Sequence, residues 1–179
     1  MKPTDGSLHK TDRAIAQRVR DIASKILKDY ADKDPVLIGI LNGAFMFMAD
    51  LVRALSHPTG QSKRYRTPLY PEIDFIKVNS YDHTQPTGTV NLVSGLTTAI
   101  EGRHVIIVED IVDTGLTLKY VKNYLASYKP ASIGVAALLV KKNHDVDYSG
   151  FAVGDKFVFG YGLDVNGKMR SIHELRALL

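Results

Sequence analysis

Three unbroken apolar runs, set among amphipathic stripes, constrain this chain most. Val36 to Leu41, Val105 to Val108 and Ile133 to Val140 show no polar alternation. A strand with one wet face alternates, so runs of this kind read as strands buried on both faces. Between them, apolar residues recur at helical spacing: Ile15, Val19, Ile22 and Ile26, then Ala44, Met48, Leu51 and Leu55, then Leu118, Val121, Leu125 and Tyr128. Buried strands interleaved with amphipathic helices predict an α/β fold, a mostly parallel central sheet flanked by helices. Asp12 is expected to cap the first helix, Pro58 to follow the second, and Lys129-Pro130 to end the third. Further strands are read at Glu72–Val78 and Phe157–Tyr161.

Composition narrows the classes. A chain of 179 residues fits one domain with at most a small appended lobe. Hydrophobic residues at 45% and charged residues at 23% are ordinary for a globular protein, which argues against disorder. The absence of Cys excludes a disulfide scaffold, a thiolate zinc site, an iron–sulfur cluster and a Cys nucleophile. The net charge of +4 permits a polyanionic ligand without marking a nucleic-acid binder. The first ten residues hold no apolar core of a secretory leader, and the longest apolar run falls well short of the ~20 residues of a membrane helix. A soluble, cytoplasmic protein is expected, with no internal repeat and no low-complexity segment.

In open parallel sheets, ligands bind beyond the carboxyl ends of the strands. That rule directs attention to Asn42-Gly43, Ser80-Tyr81, Glu109-Asp110 and Lys141-Lys142. Asn79 to Gly88 is a polar, aperiodic loop of the kind that usually serves function. His57 to Pro71 is another loop, with a basic cluster at Lys63, Arg64 and Arg66.

The richest segment runs from Val105 to Leu118. A buried strand leads to two carboxylates, Glu109 and Asp110, which suit ribose hydroxyls, Mg²⁺ or both. Asp113-Thr-Gly-Leu-Thr117 then forms a tight turn opening a helix. Gly115 permits close backbone approach, Thr114 and Thr117 add hydroxyls, and free N–H groups make a phosphate cradle. The plainer reading is that Asp113 and Thr114 only cap the helix. An aspartic protease also uses Asp-Thr-Gly, but in an all-β chain. The Walker A ending and the G-x-G-x-x-G fingerprint are both missing.

Glu109-Asp-Ile-Val-Asp-Thr-Gly-Leu-Thr117 resembles the phosphoribosyl pyrophosphate (PRPP) signature of type I phosphoribosyltransferases. Leu41-Asn-Gly to Leu51 resembles the family's pyrophosphate loop and its helix, Ser80-Tyr81 the start of its mobile loop, Leu138 to Lys142 its purine-contacting strand, and Phe157 to Asn166 its base-binding segment. The blocks keep family order from about residue 36 to 170, and the hypoxanthine-guanine members match best. The resemblance implies a single domain with a core of about 30–145 and a small hood from the N-terminal segment and about 146–179. It implies Mg²⁺-dependent transfer of the phosphoribosyl group from PRPP to a 6-oxopurine, with no nucleic acid or membrane partner.

It also implies roles. Asp113 would be general base. Glu109 and Asp110 would hold the ribose, directly or through Mg²⁺, and Asp113, Thr114, Gly115, Leu116 and Thr117 the 5′-phosphate. Asn42, Gly43 and Arg170 would bind pyrophosphate. Lys141, Phe157, Val158 and Asp164 would bind the purine. Glu109, Asp110 and Asp164 would be the metal ligands, and Ser80 and Tyr81 would open the mobile loop. Each has a plain alternative: a strand-end lysine, a core phenylalanine, turn residues beside Gly167, a solvated arginine. Asn42 departs from the family, which commonly has Lys or Arg there after a peptide that is often cis. A homodimer or homotetramer is expected, with the Ala44–Leu55 helix as an interface element. Two other readings stay open: a nucleotide-sensing regulator that binds RNA or DNA on the same fold, and a transferase for xanthine or another base.

Overall fold

The structure, a computed structural model, describes residues 6–58, 67–80, 90–141 and 144–178. In chain order they form β1 (Gly6–Lys10), α1 (Asp12–Tyr30), β2 (Val36–Leu41), α2 (Phe45–Ser56), β3 (Glu72–Ser80), β4 (Val90–Ser94), β5 (His104–Val112), α3 (Leu116–Ala126), β6 (Ser132–Lys141), β7 (Tyr148–Val153), β8 (Val158–Phe159) and β9 (Leu175–Leu178). The main sheet has the order β4-β3-β2-β5-β6-β7. All of its strands run parallel except β4, which closes one edge antiparallel to β3. A second, antiparallel sheet, β1-β9-β8, joins the two chain ends.

The unbroken apolar runs have a direct explanation. β2, β5 and β6 are central, and alternate residues go to two different layers. Leu37, Ile106, Val108, Ala136 and Leu138 pack with α1 and α2. Val36, Ile38, Val105, Ile107, Val135 and Ala137 pack with Leu118, Val121 and Leu125 of α3. Burying each such side chain is worth about 1.5–3 kcal/mol, so these strands hold the scaffold on which the carboxyl-end loops ride.

Four expectations change. Thr11 caps α1, its hydroxyl accepting from Ala14 N–H, and Asp12 instead supplies the acid of the first turn. Helix α3 ends at Ala126. Lys129 takes a positive φ of 54° before Pro130, and Tyr128 turns outward to meet the Tyr124 hydroxyl at 2.9 Å. Only Val158–Phe159 of the Phe157–Tyr161 run is strand, because Gly160, Tyr161 and Gly162 all have positive φ and turn the chain away. β7 pairs with β6 in the main sheet, so that sheet continues past residue 146, where the hood was expected to begin.

Candidate active site

The carboxyl ends of β2, β5 and β6 lie side by side, Leu41 at the end of β2 and Val112 and Val140 in register on β5 and β6. A cavity of about 230 Å³ opens at this edge, lined by Asp110, Ile111, Asp113, Lys141, Phe157, Val158, Leu163 and Asp164. It therefore gathers the purine set expected from sequence around Asp110 and Asp113. Phe157 is 52% exposed and stands at the cavity rather than in the core, which removes its plain reading.

The two adjacent carboxylates do not act as a pair facing one way. The pleat sends successive residues to opposite faces. Asp110 turns toward the loop before α2, so closely that a Cβ on Gly43 would sit 1.7 Å from its Oδ2. Glu109 is 5% exposed and absent from the cavity lining, and its Oε2 has no partner among the described residues. Burial, with the Asp110 charge adding to it, pushes the Glu109 carboxyl well above the usual range. Burial also lifts Asp110 to about 6. Asp164 contributes to that rise, and the Ile111 N–H and Arg170 oppose it. Two carboxylates so buried would gain from hydroxyl or cation partners.

The turn opening α3 is built differently from an ordinary helix start. Gly115 is the N-cap, left-handed at φ 79°, and no side chain caps the helix. The first helical bond is Lys119 N–H to the Gly115 carbonyl. The N–H groups of Leu116 to Leu118 are thus left to the helix end. Among the described residues only that of Leu116 meets a side chain, Thr114 Oγ1 at a long 3.4 Å. Asp113 does not cap: its Oδ2 pairs with Lys141 Nζ at 2.8 Å. The helix dipole and free donors are what an anion needs.

The other expected residues fall around this centre. The Leu41–Asn42 peptide is cis. Asn42 is exposed, and Gly43 packs under the Gly160–Gly162 turn, since a Cβ on Gly162 would sit 2.1 Å from the Gly43 carbonyl oxygen. Arg170 Nη2 pairs with Asp164 Oδ1 at 2.6 Å, and its Nη1 donates to the Gly162 carbonyl at 2.6 Å. Asp164 Oδ2 accepts from Gly167 N–H at 2.6 Å. Ser80 ends β3, its backbone paired with Val90. Tyr81, the loop to Gly88 and the Lys63–Arg66 cluster lie outside the described residues.

Sequence reasoning missed three contributors. Tyr161 is buried between two glycines and donates to Asp50 Oδ2 at 2.6 Å, tying the turn after β8 to α2. Burial and that bond push its phenol far above its usual range. Asp50 is the acid beside an apolar stripe, and His144 follows β6; their spacing alone did not distinguish them. The Gly160-Tyr-Gly162 pattern after a strand is the one local signal that marked a close approach.

The phosphoribosyl transferase domain family matches residues 8–166. This chain belongs to the phosphoribosyltransferase family. Its relatives include the hypoxanthine-guanine-xanthine phosphoribosyltransferase of Tritrichomonas foetus, 40% identical over 88% of this chain and 83% of that protein. The Bacillus subtilis hypoxanthine-guanine phosphoribosyltransferase is 36% identical over 90% and 87%. Among solved structures, the Trypanosoma cruzi hypoxanthine phosphoribosyltransferase in complex with the product IMP aligns with a TM-score of 0.84. It is 33% identical and covers 100% of this phosphoribosyltransferase and 97% of that chain. Both comparisons set the chain among the hypoxanthine-guanine members.

Proposed function

We propose that this phosphoribosyltransferase salvages purines, joining N9 of hypoxanthine, and of guanine, to C1′ of PRPP. The products are IMP or GMP and pyrophosphate. The observation that carries this reading is the 2.8 Å Lys141–Asp113 pair at the edge of the 230 Å³ cavity, beside the uncapped α3 turn. O6 and N7 are neighbours on one edge of a 6-oxopurine. An ammonium and a carboxylate at this spacing match that edge, the lysine donating to O6 and the carboxylate receiving the N7 proton. As the N9–C1′ bond forms and pyrophosphate leaves, the purine becomes more acidic at N7, and Asp113 takes the proton. Adenine presents a 6-amino donor to a donor-only lysine and is disfavoured.

The 5′-phosphate sits on the Asp113–Thr117 turn. Phe157 stacks on the base and the Val158 backbone reads its Watson–Crick side. Asn42, Gly43 and Arg170 receive pyrophosphate, Arg170 exchanging its bond to Asp164 for the leaving group. We assign Ser80 and Tyr81 to the start of the family's mobile loop. Positive charge develops on the ribose as the bond to pyrophosphate breaks, and the carboxylates at β5 stabilise it.

Among the described residues no three His, Cys, Asp or Glu side chains converge on one metal position. Mg²⁺ commonly binds through one or two carboxylates plus substrate phosphates, so a closed cage is not required. Asp110 and Asp164 fit, because they line one cavity, and we assign both to this role. Bound there, Mg²⁺ would neutralise the pyrophosphate charge. Glu109, expected as a third ligand, lies outside that lining, with its Oε2 buried and without a partner among the described residues.

The small sheet acts as the hood of a single domain. The α2 stripe is spent inside the chain, with Phe47, Met48, Leu51 and Leu55 buried and Phe45 left exposed. A homodimer or homotetramer remains our assignment, and a monomer in light scattering would overturn it. No helix among the described residues is long and apolar enough to cross a membrane, and we assign a cytoplasmic location. The function is tested with Lys141→Ala. Its rate with hypoxanthine should fall at least tenfold and its preference over adenine should shrink. An unchanged purine profile would remove the O6 contact.

A further inference from the structure

We propose that His144 is a positioning residue for the 5′-phosphate, holding the main chain of the Asp113–Gly115 turn from the neighbouring strand exit. This rests on the reading of that turn as the phosphate site. β5 and β6 run parallel and reach their ends in register, Val112 beside Val140. The chain leaving β6 therefore passes the turn leaving β5. His144, three residues beyond β6, reaches back so that its Nε2 lies 2.6 Å from the Asp113 carbonyl oxygen. A carbonyl only accepts, so Nε2 carries the hydrogen.

Two consequences follow from the geometry. A trans peptide points its C=O and N–H in opposite directions. Fixing the Asp113 carbonyl on His144 therefore fixes the direction of the Thr114 N–H, one of the turn's donors. The ring also lies over Gly115, where a Cβ would stand 3.1 Å from both Cε1 and Nδ1. Gly115 is required by its φ of 79°, and the ring above it leaves a side chain little room. Asp113 is held twice from the same strand exit, by Lys141 at its carboxylate and by His144 at its carbonyl. The segment that meets the base also sets the segment that meets the phosphate.

The test uses the full chain and compares IMP with inosine, which lacks the phosphate, by titration calorimetry. His144→Phe keeps a ring over Gly115 and removes the donor. His144→Gln keeps an amide N–H that can reach the carbonyl. Loss of one such hydrogen bond should weaken IMP about tenfold in H144F and leave inosine within twofold of wild type. H144Q should return IMP binding to within about threefold, and the PRPP KM should follow the same order while kcat holds. Equal IMP affinity in wild type and H144F would overturn the proposal, as would an equal loss for inosine, which marks general loosening. A wild-type protein that binds IMP no better than inosine would overturn the phosphate reading itself, and His144 with it.

Discussion

Helices α1 and α3 begin in opposite ways. α1 starts on Thr11, whose hydroxyl accepts from Ala14 N–H, and carries Asp12 in its first turn. Its orphan donors and its dipole are met by the chain itself. α3 starts on a left-handed glycine, with no side-chain cap and no acid in its first turn. The one acid at hand, Asp113, is turned to Lys141 instead. The same physical need, an acceptor and a negative charge at a helix N-terminus, is satisfied internally at α1 and left for a ligand at α3. The first arrangement serves stability; for the second we propose binding.

Substitutions can break or sharpen that contrast. Asp113→Asn keeps the shape of the α3 turn and removes the proton acceptor. Steady-state kinetics should show kcat down roughly 10²-fold with IMP affinity largely kept. An unchanged kcat would remove Asp113 as base.

Asp110, a second carboxylate lining the cavity, carries the cost of a buried acid. Burial pushes its carboxyl up from the ordinary 3.8 to about 6, so the folded state holds the proton more tightly. Its contribution to stability is fully present below pH 3.8 and is lost as pH rises through 6. Without Mg²⁺ or nucleotide, wild type should lose stability relative to Asp110→Asn by on the order of 2–3 kcal/mol between pH 4 and 7, measured by urea unfolding. A pH-independent difference would contradict the burial account.

Leu116→Glu places the missing acid in the first turn of α3, at a residue 48% exposed. The helix should gain about 0.3–1 kcal/mol from its dipole. IMP binding should weaken about tenfold, because the new carboxylate competes with the phosphate for the same donors. Tighter IMP binding would show that the turn does not hold phosphate. Thr11→Ala does the reverse at α1: thermal unfolding should report a loss of about 1 kcal/mol with kcat and KM unchanged.

Much of this was legible in the sequence, and for physical reasons. β2, β5 and β6 are buried on both faces and therefore write continuous apolar runs, and the helical stripes mark α1, α2 and α3. The α3 turn was legible because a glycine must occupy its left-handed position. The strands β1, β4, β7 and β9 were not: β4 and β7 are short edges of the main sheet, and β1 and β9 are short hood strands that pair from opposite ends of the chain. Glu109 and Asp110 read as one acidic pair, yet the two-residue period of a strand separates them. The Arg170–Asp164 and Tyr161–Asp50 contacts depend on how the segment after β8 folds back, which no local pattern encodes.

The central claim is that the cavity beside the α3 turn joins a 6-oxopurine to a phosphorylated sugar. A panel of hypoxanthine, guanine, xanthine and adenine with PRPP and Mg²⁺, followed by nucleotide and pyrophosphate release, tests it most directly. The account predicts rapid IMP formation, GMP formation at a comparable or lower rate, and adenine at least 10²-fold slower than hypoxanthine, with no product after chelation of Mg²⁺. Absence of any nucleotide from hypoxanthine or guanine, or a preference for adenine, would contradict it.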